Sequence, residues 1–380
     1  MKKKMKLLFL FIALFLWNIT VFSQKDTITT EFKPSGKLWG YAFGDLMYKV
    51  HTNSFGMNNV QYGSGTPKDM SSFEFRRIYL GYDYDISEKF STQFLLAYEG
   101  ATFASDGNRS VYIKSANLRW KNIFHNSDLV MGQMGTPTFA TTSEPVWGYR
   151  SLEKTIMDMR KIGGSNDVGV SLQGKFNDRG DYGYNIMIGN GSSGKPETDK
   201  FKKFYGDIYA KFMDQKIIID LGADNEWSQT KPDQKSKTTL KAFVAYQTKP
   251  FTIGVEGFTQ TQKNFSITTT PVDTIDIVAS GISIFAKGDI TKKLGFIVRY
   301  DHFNPDSNFD TNKVYKTAPV SSYYTESFVL VGLDYAAAKN VHIMPNIWYD
   351  NYKNRATALN NLSSNSNDFA ARITLYYIFK

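Results

Sequence analysis

From Leu38 onward the chain alternates apolar and polar residues with a period of two, in segments of about ten residues separated by links that are alternately short and long. Strands are expected over 38–50, 72–86, 90–100, 111–121, 128–135, 167–176, 181–190 and 201–213. They continue over 216–226, 237–247, 250–262, 276–288, 293–303, 322–335, 340–350 and 367–380. Short links such as Ile86 to Lys89, Asn177 to Gly180 and Lys249-Pro250 trade places with long ones near 51–71, 101–110, 136–166, 191–200, 227–236, 263–275, 304–321 and 351–366. Sixteen strands joined in this way fold as an all-β transmembrane antiparallel barrel, with short turns at one end and long loops at the other. An even count returns both ends of the barrel to the short-turn side.

The two faces of these strands differ in chemistry. Around 201–213, Phe204, Gly206, Ile208, Ala210 and Phe212 oppose Lys203, Tyr205, Asp207, Tyr209 and Lys211, and 293–303 sets Leu294, Phe296, Val298 and Tyr300 against Arg299 and Asp301. One face is uncharged and suits lipid; the other is charged and suits water. A soluble β-sandwich also alternates, but it would use its apolar face as a core, and its link lengths would not alternate so regularly. Aromatic residues gather near strand ends, among them Tyr82, Trp120, Tyr182, Tyr335 and Phe379, as in the girdles of a membrane barrel.

Lys2, Lys3, Lys4 and Lys6 precede an apolar run, Leu7 to Leu16, and then small Ser23, the order of a secretory signal peptide cleaved before Gln24. The expected organisation is a signal over 1–23, a periplasmic lead over 24–37 and an outer-membrane barrel over 38–380. The net charge of +9 falls by four to +5 when the signal lysines leave. That excess is too small and too scattered for nucleic-acid binding. The absence of cysteine removes disulfides, thiol catalysis and thiolate metal sites.

The link at 136–166 is long for a compact fold and crowded with charge: Glu144, Arg150, Glu153, Lys154, Asp158, Arg160 and Lys161. Charges of both signs across a narrow passage set a selectivity ring, so this loop is expected to fold inward and constrict the channel. Arg77, Arg119, Lys203, Asp207, Lys211, Lys241, Arg299 and Arg372 are expected to line the lumen.

With Gly132-Gln133, Pro137, Glu144, Arg150, Glu153 and Arg160, the run Asp167 to Gly174 and the Arg76-Arg77 pair before Ile78-Tyr79-Leu80-Gly81, the chain resembles the phosphate-selective porin O and P family. The resemblance implies a sixteen-stranded, usually trimeric outer-membrane channel with its third loop in the pore, and the Ser-Gln signal junction and Phe-Lys terminus resemble those of Bacteroidota proteins. It departs from the family in its lumen, where cations alternate with Asp83, Glu99, Asp207, Asp220, Asp224, Glu256, Asp301, Glu326 and Asp334 in place of a ladder of arginines and lysines. The expected function is passive diffusion of small hydrophilic solutes, including anions such as phosphate, through a homotrimer in outer-membrane lipid. No cofactor or metal is expected. Two other classes compete. One is a barrel subunit of an export or assembly complex with little transport of its own. The other is an outer-membrane hydrolase, against which the four histidines His51, His125, His302 and His342 stand near no Gly-x-Ser-x-Gly or His-Glu-x-x-His element.

Overall fold

The computed structural model describes residues 32–56, 65–100, 104–228, 234–269, 271–317, 320–360 and 362–380. The expected signal peptide and most of the expected lead lie outside the described residues. The strands are β1 (Ser35–His51), β2 (Ser71–Asp85), β3 (Phe90–Glu99), β4 (Tyr112–Phe124), β5 (Ser127–Gly135), β6 (Asn166–Lys175), β7 (Tyr182–Gly189) and β8 (Lys203–Phe212). They continue as β9 (Ile217–Trp227), β10 (Ser236–Gln247), β11 (Phe251–Thr269), β12 (Val272–Asp289), β13 (Leu294–Asn304), β14 (Tyr315–Thr317), β15 (Tyr324–Ala338), β16 (Val341–Asn354) and β17 (Asn365–Phe379).

Each barrel strand pairs antiparallel with its neighbour, and β1 pairs with both β2 and β17, as in Ser35↔Asp85 and Gly40↔Phe379, so the sheet closes on itself with no free edge. Sixteen of these strands form the wall. The three-residue β14 lies outside the ring and pairs with the outer end of β11.

Several boundaries shift by a few residues, and two changes matter most. β1 begins at Ser35, inside the expected lead. The expected link at 263–275 is largely strand, because β11 and β12 pair on through Ser266↔Ile275 to Thr269↔Val272 beyond a bulge. Its Thr, Ile and Val residues are β-branched and suit an extended ladder, whereas its polarity had read as loop.

The outward face is a belt of exposed apolar side chains that includes Ile186, Ile208, Leu240 and Leu375, the surface that hydrocarbon tolerates and water does not. Wall height is uneven. β5, β7 and β8 have 9, 8 and 10 residues, whereas β11 and β12 have 19 and 18. A low wall around β3–β8 therefore faces a tall wall around β11–β17.

Candidate functional site: a loop across the barrel interior

Residues 136–165 leave the loop end of β5, enter the barrel and return to β6. Two short helices shape the path, α1 (Ser143–Trp147) and α2 (Ile156–Met159). Pro145 sits within the first turn of α1, where no backbone donor is needed. Gly148 ends it at φ +67°, the left-handed region that a side chain would strain.

The loop is two-sided. Its apolar side chains Trp147, Leu152 and Met159 pack on inward-facing Phe243, Phe285, Phe328 and Trp348, and Phe139, Ile156, Met157 and Ile162 pack on Phe258, Ala279 and Phe303. Burying each large side chain contributes about 1.5–3 kcal/mol. Here, on β10–β16, large apolar residues interrupt the charged inward face, which departs from the expected charged lumen. The reason is that the loop, rather than water, covers this wall.

Inward side chains also bind the loop backbone, which leaves its carbonyls no need of water. Arg372 donates to the Leu152 carbonyl at 3.0 Å, Lys287 to Trp147 at 3.0 Å and Gln260 to Ile162 at 2.6 Å, while Arg299 donates to Lys154 and Arg76 to Ser151. Loop side chains complete the set. The Ser143 hydroxyl donates to Glu256 at 2.6 Å, Thr141 to Asp207 at 3.0 Å and Thr138 to Asp224 at 3.2 Å.

On the loop's other side a charged cluster spans to the low wall. Arg150 sits among Glu144, Asp158 at 2.9 Å and the wall residue Glu99 at 3.8 Å. Glu99 in turn meets Arg77 at 3.0 Å and Lys114 at 2.6 Å, and Lys154 stands 3.6 Å from Asp158. The cluster thus holds four cations and three carboxylates. Glu144 and Asp158, both in the loop, titrate apart: burial, reinforced by Asp158, raises the Glu144 carboxyl above its usual range in spite of Arg150. Burial acts on Asp158 in the same sense, but Arg150 and Lys154 outweigh it and hold Asp158 below that range.

The fifteen residues singled out from sequence therefore separate into groups. Glu144, Arg150, Lys154, Asp158 and Arg77 meet in the cluster. Glu153 and Arg160 do not: Glu153 accepts from Trp348 Nε1 at 3.0 Å, and Arg160 is clamped between Glu326 and Asp350, both against the tall wall. Lys161 is exposed at a positive φ of 57°. Arg299 and Arg372 grip loop carbonyls, and Lys203 and Lys241 pair with Asp224 and Asp220. Arg119, bonded to Asp128 at 2.8 Å, and Asp207 line a polar cavity of about 420 Å³ beside the loop, together with Thr141, Gln173 and Tyr209. Lys211 lies at the turn end, where a second cavity of about 690 Å³ is lined by Tyr149, by Lys211, Lys216, Lys249 and Lys287, and by Asp214 and Asp289.

Two interior cations that strict alternation would turn outward, Arg76 and Lys114, are each hidden by a bulge. The ladder runs Phe43↔Arg77 and then Gly44↔Phe75, so Arg76 is an extra residue and both arginines turn inward. Likewise Leu95↔Ser115 is followed by Leu96↔Ile113, which turns Lys114 inward out of phase with Arg119. The usable signal was the paired Arg76-Arg77, since two adjacent charges on a membrane strand require a break in alternation.

No family model and no curated protein matches the chain. Solved structures do match in fold. The outer membrane channel DcaP of Acinetobacter baumannii aligns at 13% identity over 93% of this chain and 99% of its own, with a TM-score of 0.67. An anion-selective porin from Comamonas acidovorans aligns at 11% over 91% and 100%, with a TM-score of 0.61. In vitro folded OmpT of Vibrio cholerae, in its trimer form, aligns at 12% over 91% and 99%, with a TM-score of 0.56. At these identities the likeness is one of fold.

Proposed function

We propose that the chain is an outer-membrane porin that passes small hydrophilic solutes by passive diffusion, with a slight preference for anions such as phosphate. The observation that carries this reading is the mixed-charge cluster that joins the inward loop to the low wall, set inside a closed barrel with a lipid-compatible belt. A passage flanked by Arg77, Lys114, Arg150 and Lys154 against Glu99, Glu144 and Asp158 favours anions by one charge. At the turn end Lys211, Lys216, Lys249 and Lys287 share a cavity with Asp214 and Asp289, an excess of two cations that adds to the bias. In this reading the turn end faces the periplasm and the loop end faces outward. A homotrimer packs the low β3–β8 wall of three copies together, and the porin neighbours, one of them solved as a trimer, support that arrangement. The mixed signs of the lumen weigh against a dedicated phosphate channel.

Reversal potentials of the reconstituted chain across a salt gradient test the reading. A weakly anion-selective value is expected; cation selectivity, or no conductance, refutes it. Arg150→Ala removes one cation from the cluster. At about 4 Å in water one charge acts with about 1 kcal/mol, so anion permeability should fall about fivefold, and less at high salt. A pH series gives a second check. As pH falls, Glu144 takes its proton before Asp158, the cluster gains one net positive charge, and anion selectivity should rise. Glu144→Gln should abolish that rise.

A further inference from the structure

On β1 the residues Trp39, Tyr41 and Phe43 face the interior, while Leu38, Leu46 and Tyr48 on the other face are exposed outward. Aromatic residues at a barrel rim ordinarily face lipid, so an aromatic row on the water side calls for another account. The rings are nearly parallel, with Trp39 and Tyr41 6.4 Å apart at 17° and Tyr41 and Phe43 6.3 Å apart at 5°. Trp39 lies across Gly81, its partner in the ladder, where an added Cβ would come within 2.4 Å of two indole carbons. Its Nε1 donates to Asp83 at 2.8 Å, so the half-buried ring is fixed against the wall.

The row continues sideways. Tyr376 stands 6.0 Å from Tyr41 and 5.7 Å from His342, whose Nδ1 is 2.7 Å from Asp334; Asp334 also accepts from the Tyr149 hydroxyl at 3.0 Å. Immobile aromatic faces flanked by carboxylates held in place by other donors match one class of hydrophilic solute. A pyranose has an apolar C–H face that packs on a ring, and a rim of hydroxyls that donate to carboxylates. Lys287, 5.4 Å from the centre of the Tyr149 ring, disfavours an amine guest at that end.

We propose that Trp39, Tyr41 and Tyr376, with Asp83 and Asp334, form a pyranose-binding shelf on the inner wall toward the turn end. The shelf rests on the porin reading for its access to solute. The test uses the full chain in planar bilayers, with a linear maltooligosaccharide or a xylo-oligosaccharide added from the turn-end side, and tryptophan fluorescence of the detergent-solubilised chain titrated with the same sugars. The expected result is a concentration-dependent block of the KCl current and a fluorescence change that disappears in Trp39→Phe. In Trp39→Ala the half-blocking concentration should rise about tenfold with KCl conductance unchanged, and Trp39→Phe, which keeps a ring, should lose less. Normal KCl conductance with no block and no fluorescence change overturns the shelf and leaves the porin reading standing. Block that survives intact in both Trp39→Ala and Tyr376→Ala, or block by spermine in place of sugar, overturns it as well. A chain that does not conduct KCl yet shows the Trp39-dependent fluorescence change upholds the shelf and refutes the porin.

Discussion

Deleting residues 140–162 and joining the ends with a short glycine-serine link is expected to raise single-channel conductance several-fold. The loop does not rest on the rim. It reaches Asp334 through the Tyr149 hydroxyl and accepts from Lys287 at the Trp147 carbonyl, both toward the turn end, before climbing back to Gln260. Removing it empties the space between the tall and low walls. The ladder that closes the barrel involves none of the deleted residues, so the wall should persist. It should persist less stably, because Phe243, Phe285, Phe328 and Trp348 would then face water from inside. Conductance in planar bilayers together with heat-induced unfolding on gels reads both effects. An unchanged conductance would place the solute path elsewhere than beside this loop.

The fold was legible in the sequence because a barrel wall has one repeating demand, a change of face at every residue, which the segment 203–212 meets throughout. Legibility failed where that demand is relaxed. At the β11–β12 hairpin, residues such as Ser266, Thr268 and Thr269 are polar enough to read as loop yet pair as strand. At Arg76 and Lys114 a bulge breaks the phase, so counting by twos from Arg77 or Arg119 turns each the wrong way. Glu153 and Arg160 resemble the other charges of the loop in sequence. What separates them is the partner each finds on a distant strand, Trp348 or Glu326 and Asp350, and residue spacing along the loop carries no trace of that. A subtler signal was present in runs such as Phe328 to Val331, apolar on both faces, which a strand needs only when something other than water lies inside.

The same buried contacts make Arg160→Ala the single substitution with the largest expected effect on stability. Its guanidinium is 1% exposed and pairs with Glu326 and with Asp350 at 3.0 Å, each 0% exposed. The neighbouring cation Lys49 is committed to Asp368 at 2.6 Å, and the Tyr352 hydroxyl is shared between Asp350 at 3.3 Å and Asp368 at 3.0 Å. Stranding buried carboxylates typically costs about 3–5 kcal/mol. The loop is also released at its return limb, so the variant should unfold at lower temperature and show added open-channel noise. Arg160→Lys restores the charge without the two-pronged geometry and should recover only part of the loss. The triple variant Arg160→Met, Glu326→Gln, Asp350→Asn removes the charges altogether and should regain most of the thermal stability, since replacing a buried ion pair by neutral groups of similar size is often close to neutral. The noise should remain in that triple variant, because the directed tie between loop and wall is still missing; a quiet channel would show that the apolar packing of Trp147, Leu152 and Ile156 holds the loop by itself.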